Sequence, residues 1–207
     1  MSIWAGLFAA GYDRFMAPSE RAGLARHRER LLACAAGRVL EIGGGTGANL
    51  PFYGHGVERL VITEPEEPMV RRLERKLRGY RVPTRLCRAD AEELPFEDET
   101  FDDVVSTLVL CTVRDPTRAL AEVHRMLKPR GRLLFIEHVR SEDSTLARWQ
   151  NRLRGPWACF GRGCQCNRRT LESITAAGFS IADLRRELLP MAPPIVRPLV
   201  VGAASRT

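Results

Sequence analysis

The stretch Glu41 to Tyr53, EIGGGTGANLPFY, sets a carboxylate before three consecutive glycines, with a fourth at Gly47. Such a loop lets a ligand touch bare backbone. Three more chemistry-bearing positions follow short apolar runs: Glu64 after RLVIT, Asp90 after TRLCRA, and the pair Glu137 and His138 after RLLFI. A P-loop needs Gly-Lys-Ser/Thr to reach phosphates, and this loop reads Gly-Thr-Gly-Ala with no lysine nearby. Gly43, Gly45 and Ala48 do fit the dinucleotide spacing G-x-G-x-x-A, with Glu64 downstream. Glu41 and Asp90 speak against it, because extra carboxylates repel a pyrophosphate and favour a cation.

Elements must bring these groups together. The pattern predicts strands at Arg38 to Ile42, Arg59 to Thr63, Thr84 to Ala89, Phe101 to Leu108 and Arg132 to Ile136. Two more are expected near Ile181 to Leu188 and Ile195 to Ala203. Helices are expected at Ser19 to Ala36 with Ser19 as cap, Thr46 to Phe52, Pro68 to Arg78, and from Asp115-Pro116 to the turn Lys128 to Gly131. A last helix runs from Thr170, as cap, to Ala177. Alternating strands and helices with apolar strands imply a parallel sheet covered on both faces, an α/β Rossmann-like doubly wound fold. In such a sheet the ligand lies beyond the carboxyl ends of the strands, where all the groups above converge. One domain spans 1–207, with N-terminal lid helices in 1–36 and a helical insert on the substrate side in 141–169.

A ligand with adenosine, a cationic centre and no phosphate suits this crevice: S-adenosylmethionine (SAM). Ionised Glu64 can accept from both ribose hydroxyls and Asp90 from the adenine amino group. The chain resembles the class I SAM-dependent methyltransferases. The resemblance rests on Glu41-x-Gly43-x-Gly45-x-Gly47, Glu64, the run Asp90 to Phe96 (DAEELPF), and Leu127-Lys128-Pro129-x-Gly131-x-Leu133. It implies a seven-stranded sheet with the last strand antiparallel. It also implies SAM contacts at Gly43, Gly45, Glu64, Asp90 and around Leu108. The full cofactor set expected is Glu41, Gly43, Gly45, Gly47, Asn49, Glu64, Pro65, Asp90, Ala91, Thr107, Leu108 and Cys111. More narrowly, TLVLCTV (Thr107 to Val113), FIEHV (Phe135 to Val139) and GCQCNRRT (Gly163 to Thr170) are similar to the methyltransferase-like thiol S-methyltransferases of animal membranes and their bacterial relatives. The animal members carry a longer N-terminal membrane anchor with no counterpart here, which predicts a soluble, cytoplasmic enzyme.

The expected reaction is in-line methyl transfer to a small-molecule acceptor, a thiol first. O-methylation of a phenol or quinol and N-methylation of a phospholipid headgroup are the alternatives. A nicotinamide-dependent reductase and a non-catalytic SAM-binding module are the competing classes. A thiol ionises near pH ~8.5 and needs little base; a hydroxyl acceptor needs one, and His138, beside Glu137, is placed for it. Tyr12, Trp149, Trp157, Cys164 and Arg168 are the expected substrate contacts. Arg162, Arg168 and Arg169 would favour an anionic acceptor. Net charge is +7, with 32 Lys and Arg, but arginines are interspersed with acids rather than forming a stripe, so no nucleic-acid partner is expected. No obligate protein partner is indicated. The apolar N-terminus MSIWAGLFAA is too short to span a bilayer and reads as a lid or a weak membrane-surface contact. The six cysteines read as free thiols, and a lone Cys164-x-Cys166 is a weak zinc signal, so no metal is expected.

Overall fold

The computed structural model describes residues 3–206; Met1, Ser2 and Thr207 lie outside that range, and with them the start of the apolar N-terminal stretch. Seven strands form one sheet: β1 (Gly37–Ile42), β2 (Val57–Thr63), β3 (Thr84–Cys87), β4 (Phe101–Thr107), β5 (Leu127–His138), β6 (Phe179–Leu188) and β7 (Pro198–Arg206). Their order is β3-β2-β1-β4-β5-β7-β6. The first five pair in parallel, and β7 runs antiparallel to both β5 and β6. The order reverses between β1 and β4, and that switch point opens the crevice.

Side chains alternate across each strand. Val39, Leu60, Val105, Leu134 and Val201 join one core with Leu31 and Leu32 of α2 (Ala25–Leu32) and Leu73 of α3 (Glu67–Leu77). Leu40, Val61, Val104, Leu133 and Phe135 join the other with Leu120 and Val123 of α4 (Pro116–Met126) and Ile174 of α6 (Thr170–Ala176). Asp115 caps α4, accepting from the N–H groups of Thr117 and Arg118 at 2.9 and 3.2 Å, with Pro116 in the first turn. The insert forms one long helix, α5 (Ser144–Phe160), capped by Asp143.

Several expectations shift. The N-terminal helix does not begin at Ser19. Helix α1 (Ile3–Ser19) runs through a π turn, Glu20–Leu24, into α2. Ser19 has helical dihedrals and makes no side-chain cap. Pro18 inside α1 removes a backbone donor, and the wider turn after it, with Gly23 outside helical dihedrals, absorbs the disruption. No crossover helix forms at Thr46 to Phe52. Gly45 and Gly47 take left-handed dihedrals, Pro51 follows, and only a short 3-10 turn at Leu50–Phe52 remains. Helix α4 does end just before Lys128 to Gly131, at Met126, but these residues form the irregular start of β5, with Arg130 left-handed, rather than a separate turn. Thr170 is not a cap either. Its hydroxyl donates to the His138 carbonyl at 3.3 Å, tying α6 to the end of β5. No helix among the described residues is long and apolar enough to cross a membrane.

Candidate active site

A cavity of about 480 Å³ lies beyond the carboxyl ends of β1, β2 and β4. One side is built from Gly43 and Gly45 after β1, Glu64 and Pro65 after β2, Asp90 and Ala91, and Thr107, Leu108 and Cys111 at the end of β4, all residues expected to touch a cofactor. Two glycines are required by geometry. Gly43 (φ +58) would drive a side chain to 2.6 Å from Val109 Cγ2, whereas Gly45 (φ +55) has nothing within 4 Å of its missing Cβ. Gly45 therefore presents open backbone to the space beside it. A Gly45→Ala variant is expected to lose only about 1 kcal/mol of stability from its left-handed strain. Binding of S-adenosylhomocysteine should nevertheless fall roughly tenfold or more as the methyl enters the ligand space, a 1.4 kcal/mol effect. Thermal melts beside titration calorimetry separate the two.

Glu64 anchors the site. One carboxylate oxygen accepts from the Gly45 N–H at 2.8 Å and the other from the Glu66 N–H at 2.9 Å. Each oxygen retains accepting capacity, enough for two ribose hydroxyls. Burial raises its pKa, with the two N–H donors opposing. Asp90 is more than half exposed and lies 3.6 Å from Arg114 Nη2, so its grip is weaker. Leu108 takes a left-handed φ of 61°, held by its N–H bonding the Ile136 carbonyl at 2.7 Å. Such strain costs about 1–3 kcal/mol and persists only where the surroundings impose it.

The opposite wall comes from α1 and the end of α5. Phe8, Tyr12 and Phe15 of α1 face Trp157, Phe160 and Arg162 across the opening. Phe15 meets Phe160 edge-on at 5.8 Å between centroids, and the Arg162 guanidinium lies over Phe8 at 5.9 Å while pairing with Glu66 at 2.7 Å. Asp13 pins α1 over the glycine loop by accepting from Thr46 and, at 3.0 Å, from Lys76. Burial pushes the Tyr12 phenol up to about 12, so it stays a neutral donor.

Six expected site residues stand behind the wall rather than in it. Glu137 is wholly buried. It accepts from Ser106 Oγ and the N–H groups of Val109 and Leu110 through one oxygen, and from the Cys111 N–H through the other. It holds the loop after β4 and does not reach the cavity, which corrects its expected place beside the reacting atoms. Arg168 likewise donates to the Leu110 and Val113 carbonyls, clamping that loop from outside instead of meeting a substrate. Trp149 projects from the outer side of α5, half exposed, under Arg152. Glu41, Gly47 and Asn49 also miss the cavity. Asn49 donates to Glu41 at 2.9 Å and accepts from Arg28 at 2.6 Å, while Tyr53 donates to Glu41 at 2.7 Å. Burial raises Glu41 to about 7 despite these donors. Gly47 packs on Leu50 and Leu73.

Arg28 escaped the sequence reading. It also donates to Thr107 Oγ1 at 3.2 Å and to Glu20, and is only 4% exposed. The available signal was its place in the apolar stripe Leu24, Arg28, Leu31, Leu32, where a cation needs buried partners. Arg162 pairs with Glu66 at the edge of the cavity, and Arg169 pairs with Glu172 on the surface. Of the three arginines expected to favour an anionic acceptor, Arg162 lines the cavity and Arg168 and Arg169 do not.

His138 lines the cavity with Nδ1 buried and without a hydrogen-bond partner among the described residues. Burial lowers its pKa from 6.5 to about 4, with only a Val196 backbone bond opposing. A depressed histidine contributes stability that is full above 6.5 and is lost as pH falls towards 4. The difference is about 3 kcal/mol. The wild type should therefore lose more thermal stability than a His138→Asn variant between pH 6.5 and 4. Among the described residues no cluster of His, Cys, Asp and Glu is arranged to hold a metal ion; Cys166 turns away from Cys164 to the Gln150 carbonyl.

Comparison with known proteins decides the family. Residues 40–135 match the family model described as a methyltransferase domain. The chain is 36% identical over 170 residues to thiol S-methyltransferase TMT1B of Rattus norvegicus, covering 80% of this chain and 69% of the relative. It is 32% identical over 201 residues to thiol S-methyltransferase TMT1A of Homo sapiens, covering 95% and 82%. The chain belongs to the class I SAM-dependent methyltransferases. A shorter match, 35% over 125 residues, is to phosphatidylethanolamine N-methyltransferase of Cereibacter sphaeroides, covering 56% of this chain and 62% of the relative. The methyltransferase also superposes on a SAM-dependent methyltransferase, possible histamine N-methyltransferase, of Thermotoga maritima with a TM-score of 0.71, at 24% identity and 98% coverage of each chain. That likeness carries the fold. The nicotinamide and non-catalytic readings of the glycine loop are set aside.

Proposed function

We propose that this methyltransferase methylates the sulfur of a small, largely apolar thiol. The observation that carries the reading is the acceptor wall: aromatic side chains, a histidine kept neutral and, among the described residues, no cation without a carboxylate beside it. Arg114 pairs with Asp90 and Arg162 with Glu66, so neither is spare for an anionic group. His138, with a pKa near 4, suits the role of acceptor to an S–H better than base towards a phenol. A thiol near ~8.5 supplies its own thiolate fraction at neutral pH. The likeness to the two thiol S-methyltransferases supports the same choice.

Glu64 would hold the ribose of SAM, Asp90 and Ala91 its adenine, and Gly43 and Gly45 its amino-acid part. Bound SAM supplies an activated methyl group on a sulfonium. The protein supplies alignment and exclusion of water, and positioning of this kind contributes ~7–11 kcal/mol to a two-component reaction. Leu108, held by the Ile136 carbonyl, and Cys111, held by Glu137, would set the floor on which the acceptor rests. Tyr12, Phe15, Trp157 and Phe160 would close the site.

A second reading, N-methylation of an amine headgroup at a membrane surface, draws on the apolar rim. Leu7, Phe15 and Phe160 at the mouth are each more than half exposed, and one relative is a phospholipid methyltransferase by name. The test is S-adenosylhomocysteine production with aliphatic and aromatic thiols, phenols, amines and phosphatidylethanolamine vesicles. Turnover is expected with thiols, at a rate rising from pH 6 to 8.5 as thiolate forms. Turnover confined to vesicles would replace this reading with the second.

A further inference from the structure

We propose that Cys111 and Cys164 form a dithiol site that reduces a small organic disulfide entering the cavity, closing to an intramolecular disulfide as it does so. The sulfur atoms are 3.7 Å apart, in one S–H···S contact, and both residues line the cavity. Both are buried from bulk solvent, so the cavity is their route to reagents. They come from different loops: Cys111 after β4, Cys164 after α5. The Gln165 N–H bonds the Cys111 carbonyl at 2.7 Å, which holds the two backbones side by side. Side-chain rotation must then bring the sulfurs from 3.7 Å to a bond of about 2.05 Å.

The other four cysteines are differently placed. Cys34 and Cys159 are exposed and Cys87 is partly so. Cys166 is buried on the Gln150 carbonyl, and burial pushes it up to about 11. Within the pair the roles separate. The neighbouring Cys111 S–H lowers the Cys164 thiol, and the Arg168 charge acts in the same direction. Cys111 is pushed up by its contact with Cys164 and by burial. Cys164, 6% exposed against 1% for Cys111, is the more accessible sulfur and so the attacking thiolate, with Cys111 the resolving thiol.

The reaction balances with the disulfide R–S–S–R as oxidant. The Cys164 sulfur attacks one sulfur of the disulfide, the S–S bond breaks, and RS⁻ leaves and takes up a proton. Cys111 then attacks the Cys164 sulfur of the mixed disulfide and expels the second RS⁻, which takes the other cysteine proton. Two protein thiols lose two electrons and the substrate disulfide gains them as two thiols. The step holds whichever atom the methyl acceptor offers. Its product ties the loop beneath the cofactor to the acceptor wall, so methyl transfer should fall about 100-fold, as displacement by ~1 Å in an aligned site does.

The test uses the full chain with Cys34, Cys87 and Cys159 replaced by serine, treated with 2-hydroxyethyl disulfide. Expected are two molecules of 2-mercaptoethanol released per chain, a mass lower by two hydrogens, and a Cys111–Cys164 link in the peptide map. Dithiothreitol should reverse all three and restore methyl transfer. Adding Cys111→Ser should stop the reaction at a mixed disulfide on Cys164 with one thiol released. Adding Cys164→Ser should abolish release. Far-ultraviolet circular dichroism and a cooperative thermal melt report that each variant is folded. No release from the folded parent chain, or a link to Cys166, would overturn the proposal.

Discussion

A Glu64→Ala variant is expected to bind S-adenosylhomocysteine about 100- to 1,000-fold more weakly than the wild type, with its fold retained. The carboxylate is asked for two charge-assisted bonds to ribose, each contributing about 1.5–3 kcal/mol. It also holds the N–H groups of Gly45 and Glu66, which shape the loop that cradles the ligand. At the low end of that range the two ribose bonds alone contribute about 3 kcal/mol, and water filling the vacated space limits the loss to about 3–4 kcal/mol, the affinity ratio stated. Asp90→Ala should cost far less, about tenfold, because Asp90 is 54% exposed and water competes for its bonds. Titration calorimetry on both variants checks the ranking. Undiminished binding by the Glu64 variant would remove the ribose assignment.

The largest effect on stability is expected at Arg28. Its guanidinium bridges Glu20, Asn49 and Thr107, and it is the cation nearest the buried Glu41 network. Removing one member of a buried charged network costs about 3–5 kcal/mol, since its partners stay desolvated and unpaired. In a chain of this size Arg28→Ala should lower the melting temperature by about 10 °C or more. Arg28→Lys should recover part of that, as a lysine keeps the charge but not the fork that reaches three partners. Differential scanning calorimetry at pH 7 is sufficient. Because Asn49 and Thr107 stand directly beneath the glycine loop and the end of β4, the alanine variant should also bind cofactor less tightly. A melting temperature within a degree or two of wild type would show that this network carries little of the fold.

The contrast between these two residues bears on what a sequence can specify. Glu64 was legible because a parallel sheet gathers the carboxyl ends of its strands at one edge. An acid directly after an apolar run must emerge there whatever the details of packing. The same rule located Gly43, Gly45, Asp90, Leu108 and His138, and the alternation of apolar strands and helices fixed the doubly wound architecture. Arg28 lay hidden because helical spacing tells which face it occupies, not which polar groups other elements bring to that face.

Glu137 and Arg168 show the limit most plainly. Their positions near the crevice were readable, but each side chain turned to unsatisfied backbone N–H or carbonyl groups of the loop after β4, because a buried loop must have those groups paired. Trp149 and Trp157 are eight residues apart on one helix, yet one faces solvent and the other the cavity. The angle at which α5 settles on α1 and the sheet decides between them. The approach of Cys111 to Cys164, 53 residues apart in the chain, is of the same kind. The parallel sheet and the edge at which its glycines and acids gather were determined by local pattern. The direction of each buried polar or sulfur-bearing side chain was decided only when distant segments packed and their hydrogen-bonding groups had to find partners out of water.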